Sequence, residues 1–294
     1  MDYTDEEFYM LALSILEGLT PYQKLKILEE KGSAEAVFLD LGKTELYYSQ
    51  HRRQHLQNVI KLADTECELI AKNNIDATFA QNNEFPFRLL NCPDYPLVVF
   101  HKGNLDANRR YAVSIVGSRK ADKIGERHVQ EMLDNLAPYK ENLVIVAGIA
   151  PGIDAMVLKH AQKLGFYTIC VLPHGFGHKY ENTVEKRIFS ASCVISENRF
   201  KFGYGNRIYE QRNRIIVGMS DAVIVAQAKD GNGAGLYIGK AFDYNRDSFA
   251  FVYPNEKSEN EKCNLFVEQD QAIPLYSSEE FLDKMIWPWK YINA

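Results

Sequence analysis

Apolar positions follow one pattern in the N-terminal part of the chain and another in the remainder. Over residues 4–62 they recur at helical spacing, and Thr4 and Glu7 stand at the spacing of a capping box. Pro21 and Gly32 delimit a second helical stretch, since proline favours a helix start and glycine a helix end. This part of the chain is therefore predicted to form short helices.

From Tyr111 onward the apolar residues form short continuous runs separated by amphipathic stretches of helical periodicity. Strands that are buried on both faces have this composition, as in a parallel sheet. Strand alternating with helix predicts an α/β domain with a doubly wound, mostly parallel sheet. The predicted strands are AVSIVG, LVIVAG, YTICVL, SCVIS, DAVIVA and SFAFVY.

Two further segments complete the predicted organisation. Residues 82–104 contain three prolines and one short apolar run, Leu97–Phe100, so they predict a connector with an irregular strand. Residues 255–262 are rich in Lys and Glu and predict a charged surface loop, and 263–285 are expected to add one strand and one helix. The predicted divisions are a small helical domain at 1–80, the sheet domain at 81–287 and a tail at 288–294.

Composition narrows the class of protein. The 294 residues carry a formal net charge of −5, which argues against a protein covered in positive charge but not against a local basic surface. The acidic N-terminus differs from a secretory signal, and no apolar run reaches the roughly 18 residues of a membrane span. A cytoplasmic protein with reduced thiols is expected from its scattered cysteines, Cys67, Cys92, Cys170, Cys193 and Cys263.

One segment, residues 198–216, departs from this acidic average. It has five cations against Glu210 alone, a net charge of +4, and carries four aromatic rings, Phe200, Phe202, Tyr204 and Tyr209. Cations that follow phosphates and rings that stack on unpaired bases are the two components of single-stranded nucleic-acid binding. A surface loop with inward-facing rings is the structural alternative, but it leaves Arg207, Arg212 and Arg214 unexplained.

Two strand-to-helix turns are candidate anion sites. Gly117, Ser118, Arg119 and Lys120 follow the first core strand, and loops at the carboxyl ends of parallel strands attract anions. A solvated turn without a ligand is the alternative. After the second core strand, Gly148 and Gly152 permit close approach of the backbone, and Asp154 in the next helix is interpreted as a structural cap.

Two other glycine- or histidine-containing segments have weaker signals. Cys170, His174 and His178 have the spacing C-x3-H-x3-H, which is not that of a standard zinc site, so no metal is predicted. A loop that offers Lys179 and Tyr180 to a ligand is preferred. A third glycine-rich turn follows a later strand and is typical of either a phosphate cradle or a tight packing turn, with Gly231, Gly233 and Gly235.

Catalytic motifs are not found in the sequence. It has no nucleophile elbow, no H-E-x-x-H and no phosphate-binding G-x-x-x-x-G-K-[ST], and its spacing pairs none of the acids Glu126, Asp154, Glu185 and Glu197. The chain is therefore predicted to have no enzymatic activity and to need no cofactor.

The order of the motifs resembles the DNA-processing protein A (DprA/Smf) family over about residues 82–285. The resemblance rests on EFPFRLLNCPDYPLVVFHKGN, VSIVGSRKA, VAGIAPGIDA, VLPHG, ISEN, RNRIIVGMSDAVIVAQA and CNLFVEQDQAIPLYSSEEFL. It implies an extended Rossmann-like domain, preceded by a small helical (SAM-like) domain. It also implies a homodimer that binds single-stranded DNA and loads the RecA recombinase during natural transformation or recombination.

The resemblance places DNA contacts on Gly117–Lys120 and on Arg212, Asn213 and Arg214, which the charge pattern also selects. The complete set of predicted DNA-binding residues is Gly117, Ser118, Arg119, Lys120, Gly148, Lys179, Arg199, Lys201, Phe202, Arg207, Arg212, Asn213 and Arg214.

The chain departs from the family pattern at several positions. Pro151 replaces a customary arginine, Leu158 a customary histidine, and Tyr209-Glu210-Gln211 a customary Phe-Pro-Arg. No C-terminal winged helix is expected. The alternative function is a nucleotide-binding enzyme or sensor on a Rossmann-like sheet, because the same strand-end turns suit small phosphates. A scaffold without affinity for either ligand is the third hypothesis.

Overall fold

The computed structural model describes residues 3–43, 50–109, 111–203, 207–229, 233–253 and 261–285. The chain divides into two compact units, neither of which is one continuous segment. The first comprises Met1–Asn108, Leu172–Tyr180 and Cys193–Arg212, and the second comprises Arg109–Val171, Glu181–Ser192 and Asn213–Ala294. This division by contacts differs from the predicted boundary at residues 80/81, which stays a prediction.

The first unit begins with the helices that the sequence predicts. The side chains of Thr4 and Thr20 each accept a hydrogen bond from the backbone amide of the third helical residue. The side chain of that third residue in turn accepts one from the backbone amide of the threonine. Gly32 ends the second helix at φ 80°, a conformation that glycine adopts readily. The helices are α1 (Asp5–Ile15), α2 (Pro21–Lys31), α3 (Ala34–Lys43), α4 (Gln50–Lys72) and the one-turn α5 (Phe87–Leu90).

Three antiparallel strands complete the first unit. The central strand pairs with one neighbour along Phe79↔Val98 and with the other along Phe100↔Ser196. The strands are β1 (Asp76–Phe79), β2 (Val98–Gly103) and β6 (Cys193–Ser196). The predicted run Leu97–Phe100 begins one residue before β2 and ends three residues before its end. The sequence missed β1, whose Asp-Ala-Thr-Phe lacks the continuous apolar run that marks the equally short β6.

The second unit contains a six-stranded parallel sheet. Its strands are β3 (Tyr111–Gly117), β4 (Leu143–Ala147), β5 (Tyr167–Val171), β7 (Ala222–Gln227), β8 (Asp247–Phe251) and β9 (Ile273–Leu275), in the order β5-β4-β3-β7-β8-β9. The chain winds outward from β3 in one direction and then from β7 in the other. The sheet therefore has the doubly wound order, and its switch point lies between β3 and β7.

Helices connect these strands and cover the sheet. They are α6 (Lys123–Leu136), a 3₁₀ turn (Ala137–Asn142), α7 (Ile153–Leu164), α8 (Asn182–Ile188), α10 (Ala234–Asp243), α11 (Glu261–Glu268) and α12 (Glu279–Lys284). Helix α9 (Ile208–Gly218) runs across the boundary between the units at residues 212/213.

The C-terminal segment corrects one expectation. It forms two helices and a strand where the sequence predicted one of each, because Cys263 and Phe266 are buried and make one face of α11 apolar. Glu261 and Lys262, assigned to a charged loop, begin this helix, and the rest of that predicted loop lies outside the described residues.

Each unit has its own buried hydrophobic residues. In the first, Leu11, Val37 and Phe100 belong to one cluster. In the second, the strands of the parallel sheet are apolar on both faces, as at Val113 and Ile145. The five cysteines are free, and four of them are buried, Cys67 being half-buried. None of the helices in the described part of the chain combines the length and apolar composition that crossing a bilayer requires.

The capping box of α1 gives a test of local stability. Replacing Thr4 by Ala removes the side chain that accepts the Glu7 amide, so we expect the free energy of unfolding to fall by about 1 kcal/mol in urea denaturation. Thr65→Ala is the matched control, since this exposed hydroxyl bonds only to the Lys61 carbonyl within α4. An equal loss in both variants would refute the contribution of the cap.

Candidate nucleic-acid interface

The residues predicted to bind DNA fall in both compact units. The second unit holds Gly117, Ser118, Arg119, Lys120, Gly148, Asn213 and Arg214, and the first holds Lys179, Arg199, Lys201, Phe202, Arg207 and Arg212.

In the second unit, the turn that follows β3 lies at the switch point of the sheet. The Ser118 amide donates to the carbonyl of Gln227 at the end of β7 (2.8 Å), and the Lys120 amide donates to the Ser118 hydroxyl (3.1 Å). Ser118 is buried, so its hydroxyl stabilises the turn, whereas Arg119 and Lys120 are exposed. The two cations therefore stand on a hydrogen-bonded turn at the edge where doubly wound sheets bind ligands.

Gly152, just before α7, supports this turn by direct backbone contact. A Cβ atom at this position would lie 2.2 Å from the Ser118 carbonyl oxygen, and the backbone is at φ 78°. The Ile153 amide donates to the same oxygen (3.1 Å). Only glycine permits both the conformation and the approach, so the turn is held by two strands and a helix start.

A polar pair fills the space beneath the switch point. Gln227 is fully buried; its Oε1 accepts from the Asp122 amide (3.0 Å) and its Nε2 donates to the Asp122 carboxylate (2.9 Å). Asp122 also caps α6 by accepting from Ile124 and Gly125. No local pattern in the sequence indicates this pair, because its members are 105 residues apart.

The Arg-Asn-Arg segment of α9 is almost completely buried, whereas cations that bind phosphate have to be exposed. Only 3% of Arg212, 5% of Asn213 and 8% of Arg214 is exposed. Residues two apart on a helix do not face each other, so the two arginines leave α9 on different sides. The buried Asn213 Oδ1 accepts no hydrogen bond from the described residues. The segment thus supplies buried polar groups, not two exposed cations.

In the first unit, an aromatic cluster forms beside the start of α9. The rings of His174 and His178 stack at 3.9 Å with 6° between their planes, and the Tyr180 hydroxyl lies 3.2 Å from His174 Nδ1. Tyr209 meets His174 edge-on and lies under the Arg212 guanidinium at 5.9 Å. Burial, together with His178 and Arg212, lowers the pKa of His174 to about 4, so this ring is neutral at pH 7.

The loop that carries these histidines packs against the turn at residues 199–202. A Cβ at Gly175 would lie 1.9 Å from the Arg199 carbonyl oxygen. The Gly175 amide donates to the Phe202 carbonyl (2.7 Å), and the Gly177 amide donates to the Phe200 carbonyl (2.8 Å). These contacts hold the aromatic cluster and the basic turn together as one surface.

Glu66 on α4 anchors this surface from below. It is buried, and its Oε1 accepts from the Phe200 amide at 2.5 Å. Burial raises its pKa, partly offset by that hydrogen bond and by Arg199 and Lys201. A signal was present in the sequence, since Glu66 occupies the apolar face of α4 together with Val59, Ala63 and Ile70.

Four predicted cations border this surface. Lys179, Lys201 and Arg207 are exposed. Arg199 is half-buried and lies 3.9 Å from the exposed carboxylate of Glu17, so its charge is partly compensated. Phe202 is half-buried, which leaves part of its ring accessible.

The remaining predictions from the sequence have varied outcomes. Asp154 is buried in the first turn of α7 and accepts from the Ala150 amide (3.3 Å), so it bonds to the loop before the helix, whose cap is Gly152. Gly148 is buried, and Leu158 belongs to the core. Tyr204 and Gly231 lie outside the described residues. Among the residues that the structure describes, no group of three or more His, Cys, Asp or Glu is arranged to hold a metal ion.

Gly152 allows a test of the backbone contact. Gly152→Ala places a methyl group against the Ser118 carbonyl, so we expect the turn to shift and the free energy of unfolding to fall by more than the roughly 1–2 kcal/mol of a left-handed alanine. Urea denaturation measures this loss. Gly165→Ala is the matched control, with φ 80° and only the Lys140 Nζ at 3.4 Å. Equal losses would contradict a special role for Gly152.

Glu66 gives a prediction on pH. Because folding raises its pKa, the folded state holds the proton more tightly, and stability falls as the pH rises from the ordinary pKa of Glu through the raised one. Glu66→Gln keeps an acceptor for the Phe200 amide but does not titrate. We expect its stability relative to the wild type to increase over this window in urea denaturation at several pH values. Glu68→Gln, at an exposed position of the same helix, is the matched control, and an equal rise in both variants would contradict a role for burial at Glu66.

Comparisons with known proteins show which family this chain resembles. A family model described as DNA recombination-mediator protein A matches residues 76–286. The DNA processing protein DprA of Streptococcus pneumoniae is 30% identical over 258 residues, which cover 85% of this chain and 87% of that protein. DprA of Bacillus subtilis is 31% identical over 173 residues, which cover 58% of each chain.

Comparison with solved structures leads to the same family as comparison of the sequences. The X-ray structure of S. pneumoniae DprA superposes with a TM-score of 0.79 at 26% identity and covers 98% of this chain and 100% of that one. The Helicobacter pylori DNA processing protein A superposes with a TM-score of 0.61 at 24% identity, covering 71% of this chain and 94% of that one, and shows the shared fold. The resemblance and the predicted Rossmann-like fold class are both confirmed. The chain therefore belongs to the DNA recombination-mediator protein A family.

Proposed function

We propose that this protein binds single-stranded DNA and acts without enzymatic activity, as a homodimer in the cytoplasm that delivers the strand to a RecA-type recombinase during DNA uptake or recombination. One observation carries the proposal: Arg119 and Lys120 are exposed on a rigid turn at the switch point between β3 and β7. Two cations at such a crevice attract phosphates, and the buried network below them prevents the turn from collapsing onto the sheet.

The first unit supports the same function with a different chemistry. Lys179, Lys201 and Arg207 are exposed beside the half-buried rings of His178 and Tyr180. Cations next to accessible rings suit an unpaired strand, since phosphates meet the cations and bases stack on the rings. Stacking contributes about 1–3 kcal/mol per base without requiring a particular sequence.

Family membership supports the finer parts of the proposal. The relatives are named as DNA processing proteins, and the H. pylori relative is described by a single-stranded DNA binding mode. The family resemblance supports the recombinase partner and the homodimer. The proposal of strand binding is supported by this resemblance and also by the exposed cations.

The turn after β3 is the decisive place to test. We expect Arg119→Ala combined with Lys120→Ala to weaken binding of a fluorescent oligothymidylate and to reduce the salt slope, log K against log [salt], by up to about 1.4, since each phosphate contact on a single strand contributes about 0.7. Fluorescence anisotropy at two salt concentrations measures both quantities.

Lys26→Ala combined with Lys61→Ala is the matched control, because it removes two exposed cations from α2 and α4. A double-stranded competitor and the mononucleotide dTMP complete the design. Unchanged affinity and slope in the turn variant would exclude the turn as the DNA site. Competition by dTMP as strong as that of the oligonucleotide would favour the nucleotide-binding alternative.

A further inference from the structure

A second basic surface lies in the second unit and is formed by residues other than the exposed cations of the β3 turn. A groove of about 820 Å³ is lined by α6, by α7 and by the end of α8 with the residues that follow it. Its walls carry Lys159 and Lys163 from α7 and Lys186 and Arg187 from α8. Among the described residues that line it, Glu126 alone is acidic. Four cations against one carboxylate give the groove a positive potential in a chain whose net charge is −5.

The three lysines of the groove are available to a ligand. Each is exposed, and none forms an ion pair or side-chain hydrogen bond in the part of the chain that the structure describes. Lys159 and Lys163 are four residues apart on α7, where like charges repel and destabilise the helix. An anion in the groove would relieve this repulsion.

Arg187 and Gln162 contribute buried donors. Arg187 Nη2 donates to the Ile149 carbonyl (3.0 Å), while its Nε–H has no acceptor among the described residues. The Gln162 amide oxygen accepts from the Ser190 hydroxyl (2.8 Å), which leaves its Nε2 buried and without an acceptor there. Buried N–H groups are nearly always paired in folded proteins, with protein or with ordered water, so these two donors add polar character to the lining of the groove and the exposed lysines supply its anion affinity.

The groove shares one residue with the support of the proposed DNA-binding turn. Gly152 lines the groove, and its backbone also contacts that of Ser118 and Arg119. No Phe, Tyr or Trp is among the described residues that line the groove, and its single imidazole, His160, is engaged by Asp134 (2.9 Å). The groove therefore offers charge but no stacking surface for a base.

We propose that this groove, defined by Gly152, Lys159, Gln162, Lys163, Lys186 and Arg187, binds the sugar-phosphate backbone of single-stranded DNA as the strand leaves the turn at Arg119 and Lys120. The inference rests on the proposed function and adds a second segment to the binding path. Binding there is independent of base identity and adds affinity only for strands long enough to pass Gly152.

The length of the strand provides the test. In the full chain, we expect Lys159→Ala, Lys163→Ala and Lys186→Ala together to leave binding of an oligothymidylate of about five nucleotides unchanged. We expect the same variant to weaken binding of one of about twenty nucleotides roughly tenfold, with a salt slope lower by about 2, since each lost phosphate contact accounts for about 0.7. Anisotropy titrations at several salt concentrations give both quantities.

The control variant carries Lys26→Ala, Lys61→Ala and Lys72→Ala, which removes three exposed lysines from α2 and α4 of the first unit. It should bind both oligonucleotides as the wild type does. Unchanged binding of the long oligonucleotide by the groove variant, or equal weakening of both lengths, would overturn the inference. The proposed function fails separately, if the wild type binds neither oligonucleotide.

Chemical acetylation followed by mass spectrometry gives an independent readout. The long oligonucleotide should protect Lys159, Lys163 and Lys186 from acetylation, whereas the short one, inorganic phosphate and dTMP should not. Protection by phosphate or dTMP would identify a small-anion site, and protection by polyglutamate at equal charge would identify a surface for an acidic protein. Either result contradicts the assignment to a DNA backbone.

Discussion

The contact between the backbone at Gly152 and the turn at Ser118–Arg119 is the constraint on which the candidate site depends. The two segments approach so closely that a single methyl group would overlap the Ser118 carbonyl. This contact joins the start of α7 to the end of β3 at the switch point of the sheet. It positions the turn that carries Arg119 and Lys120, and the same glycine lines the basic groove. The backbone contact at Gly152 thus positions the turn that carries the positive charges of Arg119 and Lys120.

Both units present cations on supports that are buried and polar. In the second unit, Gln227 and Asp122 hold the turn through a reciprocal pair of hydrogen bonds. In the first, Glu66 holds the basic turn by accepting the Phe200 amide, although burial disfavours its charged form. Buried polar groups stabilise a structure only when they are paired, and here each side chain accepts a backbone amide, that of Asp122 at Gln227 and that of Phe200 at Glu66. The rigidity of each cationic turn therefore depends on its buried partner.

Sequence patterns predicted most of the strands because a strand buried on both faces is apolar at every position. They failed where a short strand is half polar, as at β1, and where a helix is apolar on one narrow face only, as at α11. In the site, strand-end position and charge were enough to select Arg119 and Lys120. The Asp122–Gln227 pair could not be predicted from the sequence, because its members are 105 residues apart and meet only in the folded sheet. Glu66 differs, since a carboxylate on the apolar face of α4 was a visible signal.

An acidic chain gains one advantage from confining its cations to a few supported surfaces. Interactions between exposed charges fade beyond about 8–10 Å at moderate salt, so the overall charge of −5 does little to oppose a phosphate that has already reached Arg119 or Lys120. At longer range the same negative charge disfavours adsorption to nucleic acid at random. On the proposed function, an unpaired strand would be flexible enough to follow cations placed at a sheet edge, whereas a stiff duplex would not. Selectivity for single strands would then depend on where the cations lie more than on how many there are.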